Sequence, residues 1–264
     1  MSRFLVIGAN GVAGSAGIRA IRECFGSDAQ ITGVWYGRKQ EDLEIDGVDT
    51  TIFGDILDEA CIDEIVESSG NQFDWCLYAT ALGDVGFPVL DATAEQIASS
   101  NRLSFDPLLA LEERFEIGTI VAYSTFYSLG YQKITYGAMG HSKQAIEDWA
   151  LIDGKSGHRC LRAGAFRSGS SQGIKLLIRR RAKELAQSNN AVLRGLFENQ
   201  KPSVAVEKME QAVFEEERQI YGDTGTDEEG LYKAHLKIFA GANEPFVNVC
   251  GQRIWLSGDP QEIN

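Results

Sequence analysis

Short apolar runs alternate along this chain with longer stretches in which apolar residues recur every three or four positions. Seven runs have the length and β-branched or aromatic composition of strands: residues 3–7, 30–36, 49–53, 73–78, 118–123, 158–162 and 246–249. Between them, residues 15–25, 59–68, 94–115 and 137–152 carry the helical period with few breakers. This alternation predicts βαβ units: an α/β fold with a doubly wound parallel sheet of about seven strands, covered by helices on both faces. After the sixth run the pattern fails. Residues 164–227 read as helices and loops with charged clusters, a candidate substrate cover, and the acidic stretch 222–230 reads as a solvated loop. No internal repeat, low-complexity tract or flexible linker divides the chain, so residues 1–264 are expected to form one domain.

Composition narrows the partners. A net charge of −13 over 264 residues argues against a nucleic-acid partner and against adsorption to anionic membranes. Cys24, Cys61, Cys76, Cys160 and Cys250 are scattered without C-x-x-C spacing and read as buried free thiols rather than disulfides or zinc ligands. The three histidines, His141, His158 and His235, lack the close pairing of zinc sites, so no metal is expected. No apolar run approaches the roughly 18 residues a membrane span needs, and residues 4–7 are too short for a secretory core, which places the protein in the cytoplasm.

The chemistry begins at Gly8-Ala9-Asn10-Gly11-Val12-Ala13-Gly14, which follows the first strand and opens a helix. Glycines there make a tight turn and let backbone amides, those around Asn10 and Val12 included, approach a dinucleotide pyrophosphate. The second strand ends in Trp35-Tyr36-Gly37-Arg38-Lys39. An NAD-specific site usually has an acid at this point; Arg38 and Lys39 suit a 2′-phosphate, so NADP(H) is the expected cofactor. Asp55-Ile56 and Ala79-Thr80-Ala81 follow the third and fourth strands, where the chain turns back across an adenine and its ribose; Asp55 serves equally well as a turn or helix-cap residue.

Tyr136 stands seven positions before Lys143, after the run that ends in Tyr123-Ser124. Seven residues are close to two helical turns, so phenol and ammonium can share one face. A nearby cation lowers a phenol pKa and makes it a better acid near neutrality, so Tyr136 is the expected proton donor and Lys143 the cation that orients the cofactor.

With these pieces in order, the chain resembles the short-chain dehydrogenase/reductase superfamily, a Rossmann fold, from Gly8 to the last strand near Val249. The resemblance implies that Asn101 is the active-site asparagine, holding a helix or a relay water, and that Ser124 is the active-site serine, with Tyr127 as an alternative contact to the substrate oxygen. The usual Tyr-x-x-x-Lys signature is absent, because Met139 stands four before Lys143. The Tyr-x6-Lys spacing resembles the branch containing bacterial enoyl-acyl-carrier-protein reductases, whose second active-site tyrosine Tyr127 or Tyr131 could supply. The first loop instead resembles extended and atypical members. Reduction of a carbonyl or of an enoyl thioester is therefore implied. A non-catalytic NADP(H) sensor, favoured by Met139, and a nucleotide-dependent epimerase or dehydratase stay open.

The superfamily also pairs subunits through the helices that here carry Leu108, Leu109, Leu111, Ile146 and Trp149, which implies a homodimer or homotetramer. Arg179-Arg180-Arg181 and Lys183 stand out in an acidic chain as a solvated helix face or a docking patch for an acidic carrier protein or a thioester's phosphate-bearing arm.

Overall fold

The computed structural model describes residues 1–36, 44–80, 82–152 and 157–263. Its strands are β1 (Ser2–Ile7), β2 (Ala29–Trp35), β3 (Thr50–Phe53), β4 (Gln72–Tyr78), β5 (Glu116–Thr125), β6 (Gly157–Ala163), β7 (Phe246–Cys250) and β8 (Arg253–Ser257). They form one sheet in the order β3-β2-β1-β4-β5-β6-β7-β8. Every pairing is parallel except that of β7 with β8. The seven expected strands are all present, and β8 adds an antiparallel edge. Its residues follow a tight turn at Gly251, whose φ of +59° glycine adopts without strain, so strand eight is a hairpin return and carries no βαβ signal.

The helices are α1 (Val12–Phe25), α2 (Glu59–Ser69), α3 (Ala94–Ser104), α4 (Asp106–Arg114), α5 (Gly130–Lys133), α6 (Gly137–Ala150), α7 (Gly169–Arg180), α8 (Ala182–Leu185), α9 (Ala191–Phe197), α10 (Pro202–Tyr221) and α11 (Glu228–Phe239). One face of the sheet packs α1 and α11 through Phe4, Ile21, Leu77, Leu161, Leu231 and Val247; the other packs α2, α4 and α6 through Leu5, Ile65, Tyr78, Leu111, Ile120 and Ile146. Alternate residues of each strand serve opposite faces, as the two-residue period requires.

Four expectations need correction. The helix foreseen over 94–115 is two helices, because Pro107 has no amide hydrogen and its ring crowds the preceding turn, so α3 ends at Ser104 and α4 restarts at Asp106. The acidic stretch 222–230 is not wholly loop: the Asp227 carboxylate caps α11 by accepting the Gly230 N–H at 2.8 Å, and Glu228 and Glu229 occupy the first turn, where negative charge favours the helix dipole. Of the five residues proposed for subunit pairing, Leu108, Leu111, Ile146 and Trp149 are packed inside this chain, and Leu109 alone is exposed. Four of the five cysteines are buried free thiols as expected, whereas Cys24 is exposed.

Strand order places a topological switch between β2 and β4 on either side of β1, so connections from the two halves of the sheet diverge at the carboxyl ends of β1 and β4. Such a crevice is where open α/β sheets bind ligands. Above it lie α7 to α10, which have an apolar cluster of their own built on Ile178, Leu193, Phe197, Val206 and Met209. No helix among the described residues is long and apolar enough to cross a membrane.

Candidate active site

A cleft of about 510 Å³ opens at that switch point. Its floor is the glycine loop. Gly8 has φ +82°, and a Cβ there would lie 2.5 Å from the Ala79 carbonyl oxygen; a Cβ on Gly14 would overlap the Gly8 carbonyl oxygen. The loop is closed by the Gly11 N–H donating to the Gly8 carbonyl at 2.9 Å. Helix α1 then starts at Val12 with no side-chain cap and no acidic residue in its first turn, and Val12, Ala13 and Gly14 face the cleft. Uncapped amides and the positive end of a helix dipole make an anion seat, and the missing Cβ atoms let the loop pack tightly against Ala79 and on itself.

Of the residues proposed for the cofactor, Gly8, Asn10, Gly11, Val12, Gly14, Ala79 and Thr80 line this cleft, and Trp35 joins them at the end of β2. Asp55 and Ile56 do not. The Asp55 carboxylate accepts the Leu57 N–H at 3.0 Å, which is the turn role open to it, and Ile56 packs against the core. Arg38, Lys39 and Ala81 lie outside the described residues.

Tyr136 and Lys143 both reach the cleft from α6, Tyr136 as its N-cap residue and Lys143 near its middle. Met139, the residue at the usual tyrosine spacing, is buried beneath Gly83 and takes no part in the lining. Lys143 is 3% exposed, and its ammonium donates to the Tyr123 carbonyl at 2.8 Å and the Thr80 carbonyl at 3.2 Å, tying the ends of β5 and β4 together. Burial lowers its pKa from 10.5 to about 8, with Cys160 and Glu147 acting in the opposite direction.

The expected lowering of the Tyr136 pKa is overturned. Burial pushes the phenol up through loss of solvent, the opposite of the expected direction. Tyr136 therefore keeps its proton at neutral pH and is a hydrogen-bond donor.

Ser124 lines the cleft, but its hydroxyl donates at 2.7 Å to the buried Glu147 carboxylate. Its proton is thereby directed away from any substrate oxygen. Asn101 accepts the Ser142 hydroxyl at 2.8 Å, joining α3 to α6, and does not line the cleft. Tyr127 is fully buried and donates to the Gln261 carbonyl at 3.0 Å, and neither it nor Tyr131 lines the cleft. The second tyrosine of an enoyl reductase thus has no counterpart among these two.

Several lining residues carry no sequence signal of the kind used above. Thr125 donates to the Ala163 carbonyl at 2.8 Å beside Ser124, and Gln132 stands next to it. The cover contributes Phe166, Ile174, Ile178, Met209, Val213 and Phe214, with one ion pair, Lys175 to Glu210, joining α7 to α10 in that apolar wall. The 3.6-residue spacing of Ile174 with Ile178 and of Met209 with Val213 is visible in the sequence, but which way each helix faces is not. In the basic run, Arg181 pairs with Asp84 at 3.0 Å and lies over the Phe87 ring, while Arg179, Arg180 and Lys183 are exposed. A second hollow, of about 570 Å³, lies at the opposite end of the sheet around Asn71 and Glu112 to Gly118 and has none of these features. Among the described residues, no three His, Cys, Asp or Glu side chains cluster as a metal ion would need.

Comparison with solved structures agrees with this architecture. The chain superposes on NAD+-bound xylitol dehydrogenase with a TM-score of 0.58 at 17% identity, covering 89% of this chain and 90% of that one. It superposes on an NADPH-dependent reductase involved in bacilysin biosynthesis with a TM-score of 0.55 at 12% identity, covering 92% and 91%. A short-chain dehydrogenase/reductase from Saccharomyces cerevisiae gives 0.53 at 16% identity, covering 77% and 86%. No protein-family model matches the chain, and no curated protein does. The fold is that of the short-chain dehydrogenase/reductases: a Rossmann sheet with its cleft at the switch point.

Proposed function

We propose that this protein is a nicotinamide-dependent oxidoreductase, a reductase of carbonyl compounds that uses NADPH. The observation that carries the reading is the placing of Tyr136 and Lys143 in one cleft with the glycine cradle, while Met139 is packed away from it. Gly8, Gly11 and Gly14 with the first-turn amides of α1 fit a dinucleotide pyrophosphate. Thr80, Ala79 and Trp35 flank the adenosine side, and Arg38 and Lys39 are the residues whose charge favours a 2′-phosphate. A reduced nicotinamide, when bound, supplies the reducing equivalents.

The protein's own residues handle the oxygen. Tyr136, in the cleft and protonated at neutral pH, donates its hydrogen to the substrate carbonyl oxygen and stabilises the charge that develops there. Lys143 fixes the ends of β4 and β5 through the Thr80 and Tyr123 carbonyls, and so fixes the floor on which cofactor and substrate meet. Thr125 sits at the same rim with its hydroxyl directed to Ala163. The apolar cover excludes water from the reacting groups.

Carbonyl reduction is preferred to enoyl reduction because neither Tyr127 nor Tyr131 reaches the cleft. The sensor alternative loses its main support with Met139 buried elsewhere. The test is NADPH oxidation followed at 1 mM substrate, on the order of ordinary KM values, against aldehydes, ketones and enoyl thioesters. Turnover of carbonyl compounds is expected. Turnover confined to enoyl thioesters would replace the proposed chemistry, and tight NADPH binding with no turnover of any class would restore the sensor.

A further inference from the structure

Behind the reactive face of α6 lies a buried polar block that the proposed chemistry does not use. Glu147, one helical turn beyond Lys143, is fully buried. Its carboxylate accepts from Arg162 Nη2 at 2.6 Å and Nε at 2.8 Å and from Ser124 at 2.7 Å. The Tyr127 hydroxyl adds a longer contact to Oε2 at 3.5 Å, and two more donors come from the segment that follows β8. The Gln261 backbone N–H donates to Glu147 Oε2 at 3.0 Å and its side-chain Nε2 to Oε1 at 2.8 Å.

Gln261 does not stop at Glu147. The same Nε2 donates to the Thr125 carbonyl at 2.7 Å, its Oε1 accepts from Ser128 at 2.8 Å, and its carbonyl accepts from Tyr127 at 3.0 Å. Two residues earlier the Asp259 carbonyl accepts from Arg162 Nη2 at 2.8 Å. One glutamine therefore bonds both to the helix that carries Tyr136 and Lys143 and to the rim of β5 that carries Ser124 and Thr125. These are the two walls between which a substrate carbonyl has to lie. A hydrogen-bonded block of this kind fixes a distance, since each partner is itself fixed by a second one.

We infer that Gln261 is a positioning residue of the active site, clamping the end of β5 to α6 and so setting the gap between the Thr125 rim and Tyr136. Its effect on catalysis rests on the reductase reading; the clamp itself does not. Gln261→Met keeps the length and removes the side-chain amide, and Gln261→Ala removes the side chain. Amide hydrogen exchange reads the clamp without reference to activity. In both variants exchange across residues 124–129 is expected to rise about tenfold, the loss of one or two net hydrogen bonds, while β1 and β2 keep wild-type exchange and NADPH affinity is unchanged. Turnover is expected to fall about ten- to a hundredfold in kcat through misplacement of the two walls, with cofactor binding intact.

Wild-type exchange across residues 124–129 in Gln261→Met overturns the inference, as does a uniform rise over the whole sheet, which is the signature of general destabilisation. A wild-type protein that turns over no carbonyl compound, with the local exchange effect present, leaves the clamp standing and removes the reductase. Full turnover in Gln261→Met with exchange unchanged does the reverse.

Discussion

The Lys143 ammonium donates to the Tyr123 carbonyl at 2.8 Å, so the cation expected to tune a phenol is holding a strand end. Burial has lowered its pKa to about 8. The charged form is thus complete below that pH and lost above it, while Tyr136 keeps its proton across the same range because burial raises the phenol. The expected kcat/KM profile, which reports free-enzyme groups, is flat from pH 6 to 7 and falls above about pH 8. Lys143→Met should have no activity to titrate, and a wild-type rate still rising at pH 9 would show that the ammonium is not required.

The glycine cradle gives a paired prediction. Gly14→Ala puts a methyl group into the Gly8 carbonyl, so the loop has to shift, and NADPH affinity should fall at least about tenfold, the factor that 1.4 kcal/mol produces. Gly173→Ala, in α7, meets nothing within 4 Å and should leave affinity unchanged while stabilising the helix by up to about 1 kcal/mol. Trp35 fluorescence quenching reads both titrations.

Much of this was legible in the residues themselves. The seven parallel strands and the glycine loop follow from period and punctuation, which are local properties of the chain. The placing of Tyr136 in the cleft follows from its seven-residue spacing to Lys143. What was not legible depended on which group reaches which partner first. Ser124 has the right position, yet its proton goes to Glu147, a residue 23 positions away in sequence. Lys143 has the right charge, yet its hydrogen bonds go to two backbone carbonyls. Leu108 and Leu111, proposed for subunit contact, turned inward, because a helical stripe looks the same whether it faces its own sheet or another copy. Two misses had local signals. Asp106-Pro107 marks the break between α3 and α4, and Asp227-Glu228-Glu229 marks the start of α11.

Breaking the buried pair of Glu147 and Arg162 should be costly. Glu147→Gln leaves a 4% exposed guanidinium without its counter-charge, and about 3 to 5 kcal/mol of stability should be lost. Chemical denaturation measures it directly. A loss under 1 kcal/mol would mean that Asn248, Ser257 and the Asp259 carbonyl satisfy Arg162 by themselves.

The Lys175 to Glu210 pair is the one charged link between α7 and α10 in the cleft wall among the described residues. Glu210→Gln should loosen the cover and raise KM about tenfold for a carbonyl substrate, with NADPH affinity unchanged, since the pair lies in the cover and the glycine cradle forms the cleft floor. Equal losses in cofactor and substrate affinity would indicate that the pair supports the whole cleft.

Delivery of the proton by the Tyr136 hydroxyl is tested by NADPH-dependent carbonyl reduction with Tyr136→Phe beside the wild type. The substitution removes one oxygen, so fold and NADPH affinity should be retained while kcat falls about 10²- to 10⁴-fold, the range for a positioned acid. A phenylalanine variant that keeps the wild-type kcat would contradict the account.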